Sequence, residues 1–257
     1  GGRAMALRGA ARRASTAARL GMGAVRGIVD LRSDTVTRPT ASMYERMLAA
    51  PVGDDVFRDD PTIAALESLT SGLLDKEAAV FFPSGTMSNL VAVGVHCPRG
   101  GEVVLGDKSH VFVYEGGGAS MLLGVAFHTL PTMPDGTLRL EDIRGAVRPD
   151  DVHHPVTSLV CLENTHNKCG GVCLPTDYTS AVRELCDELH LPLHLDGARL
   201  WNAAAATGNS PAEIAAPFDT VSVCLSKGLG CPVGSLLVGP SALMASARRL
   251  RKALGGG

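Results

Sequence analysis

No stretch of this chain stays apolar for the roughly 20 positions that a bilayer-crossing helix requires, so membrane spanning is not expected. A surplus of charge is missing as well: 24 Lys and Arg face 26 Asp and Glu, a formal net charge of −2. That balance leaves no basic surface for nucleic acid or for an anionic membrane. The 7 cysteines include no Cys-x-x-Cys pair, and an odd number in so long a chain argues against a disulfide framework and for a reducing compartment. His166, Cys169 and Cys173 lie close in sequence but lack a fourth ligand, so no metal site is expected. Past the leading segment, neither an internal repeat nor a low-complexity tract interrupts the chain. What remains is the profile of a globular enzyme with a hydrophobic fraction of 45% and the length for one large domain.

Acidic residues are absent before Asp30, whereas Arg3, Arg8, Arg12, Arg13, Arg19 and Arg26 all fall in that stretch. An arginine-rich, acid-free, alanine-rich leader over residues 1–29 has the composition of a mitochondrial transit peptide. A translated leader ahead of Met5 with no targeting role fits equally, since Gly9, Gly21, Gly23 and Gly27 weaken the helix that import needs. Either way the segment is expected to be disordered, and the location to be intracellular, cytosolic or mitochondrial.

From Asp30 onward short apolar runs alternate with helical patterns. The runs predict strands at 79–82, 102–105, 125–129, 158–162, 191–195, 221–225 and 234–238; the periodic segments predict helices at 62–74, 87–96, 177–190 and 241–254. Strands separated by helices require crossover connections, hence an α/β fold with a mainly parallel seven-stranded sheet sandwiched by helices. Ligands of such sheets collect at the carboxyl ends of the strands.

Three motifs fall there. Ser84-Gly85-Thr86 opens a helix, where free backbone N–H groups and the helix dipole favour an anion such as phosphate; an ordinary N-cap by Ser84 or Thr86 uses the same residues. Asp196 closes a strand in Asp196-Gly197-Ala198-Arg199, and Lys227 follows another in Leu225-Ser226-Lys227-Gly228. Alone, an Asp-Gly is a turn pair and a Ser-Lys-Gly is a solvated loop. Together they supply an amine for a Schiff base, a carboxylate to keep a pyridine nitrogen protonated and a phosphate cup. That is the equipment for holding pyridoxal 5′-phosphate.

Around these motifs lie Asp30-Leu31-Arg32-Ser33-Asp34-Thr35, Pro51-Val52-Gly53-Asp54-Asp55-Val56, His110-Val111-Phe112-Val113-Tyr114-Glu115-Gly116-Gly117, Leu162-Glu163-Asn164-Thr165-His166-Asn167 and Pro232-Val233-Gly234-Ser235. In this order they resemble the low-specificity L-threonine aldolases, which are fold-type I (aspartate aminotransferase-like) pyridoxal phosphate enzymes. The resemblance implies that Lys227 holds the cofactor, that Asp196 faces its ring nitrogen and that Gly85 and Thr86 take its phosphate. It also implies that His110 stacks on the ring near the substrate hydroxyl and that Ser33 shares the substrate carboxylate. Arg199, just past the aspartate, is the bidentate donor available for that carboxylate. His153 matches a second histidine that reaches substrate across a subunit interface, although residues 150–155 also read as an exposed polar loop; Glu115 is a candidate for orienting the site. The implied reaction splits the Cα–Cβ bond of threonine, allo-threonine and related β-hydroxy-α-amino acids into glycine and an aldehyde, in a homotetramer.

The resemblance has departures. Arg58 stands where relatives commonly carry glycine, and the chain stops at Gly257 where they continue into a small C-terminal domain. Residues 30–257 therefore read as the cofactor-binding large domain with an N-terminal arm, truncated before the small domain. The apolar face of the last helix, at Leu243, Met244, Ala247 and Leu250, is expected to be left partly uncovered. Trp201 and Phe218 are expected in the core, and His166 either in the scaffold or lining the site. Two alternatives stand beside the aldolase: another fold-type I lyase or aminotransferase with the same three motifs, and a catalytically inactive truncated homologue.

Overall fold

Seven short runs rich in Val, Leu and Ala form the sheet that positions everything else. In the computed structural model, which describes residues 29–257, they are β1 (Ala78–Phe82), β2 (Gly101–Gly106), β3 (Ala126–Leu130), β4 (Val156–Glu163), β5 (Leu193–Gly197), β6 (Thr220–Cys224) and β7 (Ser235–Gly239). The expectations for the arginine-rich leader fall on residues 1–28, outside the described residues. The strand order is β1-β7-β6-β5-β4-β2-β3. Strands β2 to β6 run parallel to one another, and only β7 is antiparallel, to both β1 and β6. Every residue of β5, β6 and β7 is buried, as follows when helices cover both faces of a sheet.

All seven expected strands form, with shifted ends. The shift at β5 matters for the site. Pro192 has no N–H for the ladder, so the strand begins at Leu193 and runs on through Asp196 and Gly197, which pair with Ser222 and Val223 of β6. Asp196 is thus part of the sheet rather than of the turn that follows it.

The helices are α1 (Ala41–Ala49), α2 (Pro61–Leu73), α3 (Gly85–His96), α4 (His110–Val113), α5 (Leu140–Ala146), α6 (Thr176–Glu188), α7 (Leu200–Thr207), α8 (Pro211–Ala215) and α9 (Ser241–Ala253). The four expected helices are α2, α3, α6 and α9. The others are short, and two of them carry local caps: Thr40 caps α1, and Ser210 with Glu213 forms a reciprocal capping box on α8. Phe218 is buried in the main core and Trp201 packs against it, as expected.

Half of the α9 face is fully covered within the chain, and Leu243 and Leu250 stay partly exposed. Met244 and Ala247 are fully buried with Val80, Phe82, Val91 and Leu237, and Leu243 and Leu250 pack on the same cluster. Helix α3, the edge strand β1 and its neighbour β7 pack against that face within the chain. Polar anchors reinforce the packing: Arg248 pairs with Glu67 of α2, and Arg251 pairs with Asp55 while donating to the Phe81 carbonyl at 2.6 Å. Arg58 adopts φ +61°, so the loop does need the left-handed conformation that glycine takes most readily.

Candidate active site

The carboxyl ends of β4, β5 and β6 converge on one polar group. Asp196, 2% exposed, closes β5; its Oδ1 accepts the Ala198 N–H at 3.1 Å and its Oδ2 accepts from Asn89 Nδ2 at 2.9 Å. Asn89 projects from α3, and the same amide nitrogen donates to Glu115 Oε1 at 2.9 Å. Glu115 also accepts from His110 Nδ1 at 2.9 Å. Burial pushes the Glu115 carboxyl up, helped by the nearby Asp196 and opposed by the hydrogen bonds from His110 and Asn89. His110 moves up too, chiefly through its bond to Glu115, against its own burial.

Glu163, at the end of β4, holds the His110 backbone in place. Its carboxylate accepts the His110 N–H at 2.7 Å and the Asn167 N–H at 2.9 Å. Burial and then the Asp196 charge push it up to about 7. His166, expected in the scaffold or at the site, is buried behind this corner, with its N–H on the Val172 carbonyl at 2.9 Å.

Lys227 lies three residues past β6 and is half-buried. Its charge is one of the smaller influences on His110, where the Glu115 bond and burial come first, and on Asp34, where burial and Arg199 come first. Thr37 Oγ1 donates to the Lys227 carbonyl at 2.7 Å, so the N-terminal arm clasps the lysine turn. Gly85 opens α3 with Ser84 as N-cap, its side chain accepting from Met87 N at 3.2 Å. A Cβ at Gly85 would sit 2.7 Å from Cys224 Sγ, so glycine lets the helix start press against the end of β6. The free N–H groups of Gly85 and Thr86 therefore belong to the same end of the sheet as Asp196 and Lys227.

The arm brings a partner that the sequence reading did not assign. Arg199 makes a two-pronged pair with Asp34, Nε to Oδ2 and Nη2 to Oδ1, both at 2.8 Å. Burial weakens the Arg199 charge, but Asp34 outweighs it and the guanidinium is held above its ordinary value. Asp34 takes one edge of the fork; Nη1 enters no ion pair or hydrogen bond among the described residues. Ser33 stands next to it, accepting the Thr35 N–H at 3.2 Å.

His153 is not brought to this group within one chain. It is exposed in the loop before β4, at the opposite end of that strand from Glu163, roughly 25 Å away along eight residues of strand.

His110, Glu115 and Asp196 offer ligand-type atoms within 4.8 Å of one another. Hydrogen-bond donors from Asn89 already point at both carboxylates, where a metal would need lone pairs. The donor set suits a different charge. Among the described residues no ion pair uses Asp196, a buried carboxylate supplied only with an amide and a backbone N–H. A protonated ring nitrogen completes such a site, and pyridoxal phosphate fits the residues present.

Glu163 lies within a quoted motif and Asn89 three residues past another, but neither carried an assigned role. For Asn89 a signal existed: an amide on the helix face shared with the buried Ala92 and Val93, three and four residues on.

Comparison with known proteins places the arrangement. The chain matches the beta-eliminating lyase family over residues 30–257. It belongs to that family. It is 53% identical over 232 residues to a probable low-specificity L-threonine aldolase 2 of Arabidopsis thaliana, covering 89% of this chain and 65% of that protein. To the low specificity L-threonine aldolase of Escherichia coli K12 it is 48% identical over 230 residues, covering 90% and 68%. Among solved structures it is similar to a Leishmania major threonine aldolase, with a TM-score of 0.77, 26% identity and coverage of 87% of this chain and 66% of that one. The chain spans 55% to 68% of the length of these and other curated relatives of 47% identity or more.

Proposed function

We propose that the protein cleaves L-threonine, L-allo-threonine and related β-hydroxy-α-amino acids between Cα and Cβ, giving glycine and an aldehyde, with pyridoxal 5′-phosphate as cofactor. The observation that carries this reading is Asp196, paired with no cation among the described residues and tied through Asn89 and Glu115 to His110, at the same end of the sheet as Lys227, which follows β6. The relatives named as threonine aldolases support it.

Pyridoxal phosphate, when bound, supplies an electron sink for the pair released at Cα. Lys227 is the amine that would hold it, and the Asp196 carboxylate would keep its ring nitrogen protonated by Coulombic attraction. The N–H groups of Gly85 and Thr86 would take the phosphate. Arg199, oriented by Asp34, presents the Nη1 edge to the substrate carboxylate, with Ser33 beside it. His110 donates Nδ1–H to Glu115, which leaves Nε2 with a lone pair for the substrate hydroxyl proton.

His153 belongs to the proposal only through self-association. Exposed and remote in its own chain, it acts on a neighbouring copy's site in a homotetramer. A reducing compartment, cytosolic or mitochondrial, is part of the same reading.

The full-length protein mixed with pyridoxal phosphate and threonine should release acetaldehyde and glycine. Lys227→Ala should lose both that activity and the visible absorbance of the lysine-bound cofactor. Cofactor binding without cleavage of any β-hydroxy amino acid would leave another lyase of the family as the better reading.

A further inference from the structure

We propose that His96, Thr220, His194 and Asn89 form a one-way hydrogen-bond chain that fixes His194 in its Nε2–H tautomer and makes Asn89 the positioning residue for both Asp196 and Glu115. The inference rests on the proposed reaction only in giving Asp196 a cofactor to face.

The chain crosses the sheet interior. His96 Nε2 lies 2.9 Å from Thr220 Oγ1, Thr220 Oγ1 lies 2.9 Å from His194 Nδ1, and His194 Nε2 lies 3.3 Å from Asn89 Oδ1. Asn89 Nδ2 then reaches Asp196 Oδ2 and Glu115 Oε1, both at 2.9 Å. Each of these distances leaves two directions open when taken singly. The carboxylates decide between them.

Two carboxylate oxygens facing one amide end require that end to be the NH2, since a carbonyl there would set three acceptors against one another. Asn89 therefore points Oδ1 at His194, and only an N–H on His194 Nε2 satisfies it. The His194 ring is fully buried, and its proton affinity is driven down to about 3, burial being the main cause. It is neutral and carries one N–H, so Nδ1 must accept. Thr220, also fully buried, donates its hydroxyl proton to Nδ1 and has a lone pair left for His96 Nε2–H. Each donor along the path then has an acceptor and each acceptor a donor.

The consequence at the site is directional. Asn89 cannot flip without breaking the His194 bond, so both of its N–H groups stay aimed at Asp196 and Glu115. Removing the Thr220 hydroxyl releases Nδ1, and the Thr220 main-chain carbonyl, 3.1 Å from it, is the nearest acceptor for a proton there. Loss of one hydroxyl two links from Asn89 should therefore switch the tautomer of His194 and take the donor away from Asn89.

Histidine-selective ¹⁵N spectra of the full-length protein, kept free of cofactor, test this without an activity assay. The wild type should show His194 protonated at Nε2 and unprotonated at Nδ1 near neutral pH. Thr220→Val should move the proton to Nδ1, and Thr220→Ser should keep it on Nε2. An Nδ1–H tautomer in the wild type overturns the proposal by itself, whether or not any variant folds. A second measurement addresses the positioning role: Asn89→Leu should lower kcat roughly tenfold or more, from the loss of hydrogen bonds to two charged groups, with KM changed far less. Unchanged kcat in Asn89→Leu refutes the positioning role. Should the wild type cleave no β-hydroxy amino acid, the assigned reaction falls while the tautomer result stands on its own.

Discussion

A histidine bonded to a buried carboxylate keeps its proton to higher pH than one in water, and His110 is held in that way by Glu115. If His110 Nε2 takes the substrate hydroxyl proton, the working form is the neutral ring. Activity then rises as pH climbs through a value above the ordinary 6.5 of histidine. Glu115→Gln removes the largest cause of the upward shift and leaves burial, which works the other way. The rising limb of kcat/KM should therefore move to lower pH in that variant, and the His110 titration followed by NMR in cofactor-free protein should move with it. A His110 titration that stays put would show that Glu115 does not set it. At this scale Asp196 and Lys227 stood out because each sits in a short motif next to a strand end, and His110 came from the family resemblance; the structure joins Asp196 and His110 through Asn89 and Glu115. The partners of Asn89 and Asp34 were not legible, since they lie 107 and 165 residues away; the helix face of Asn89 marks it as buried but encodes no such distance.

Between elements, the approach of neighbouring segments decides which glycines are required. A Cβ on Gly197 would lie 2.7 Å from the main-chain oxygen of Ser222 on β6. The obstacle is backbone inside a paired ladder, so it has nowhere to go. A Cβ on Gly85 would meet Cys224 Sγ at the same 2.7 Å, but that atom belongs to a side chain. Gly197→Ala should accordingly cost about 1–3 kcal/mol, the usual range for overpacking, and more than Gly85→Ala. Chemical denaturation midpoints of the two variants check the ranking, and equal losses would mean that the sheet absorbs the strain as easily as a side chain does. Alternation of apolar runs was enough to find all seven strands. It did not find the ends of β5, because Asp196 and Gly197 look like turn residues and are strand residues only by pairing with β4 and β6. Short helices such as α4 and α8 escaped for a related reason: four or five residues hold too little periodicity to register.

Taken as a whole, the molecule closes by bringing its last helix against segments from its first third. The sequence reading saw an apolar face on α9 and expected part of it to lack cover; α3, β1 and β7 bury Met244 and Ala247 fully, while Leu243 and Leu250 are only partly covered. What the sequence did not reveal is the polar half of the closure. Arg251, 4% exposed and 196 residues from its partner, pairs with Asp55 and donates to the Phe81 carbonyl. Truncating it strands an acidic group that is itself mostly covered and leaves a β1 carbonyl without its donor. Removing one member of a buried pair typically costs 3–5 kcal/mol. Arg248 Nη1 remains 3.7 Å from Asp55 and keeps some positive charge nearby, which argues for the lower end, about 3 kcal/mol. Arg251→Ala in the full-length protein should show that loss in urea denaturation, and Asp55→Asn added to it should restore part, because the stranded charge is then gone. A loss below about 1 kcal/mol would put the pair with surface ion pairs and leave the apolar contacts of Met244 and Ala247 as what fastens the helix.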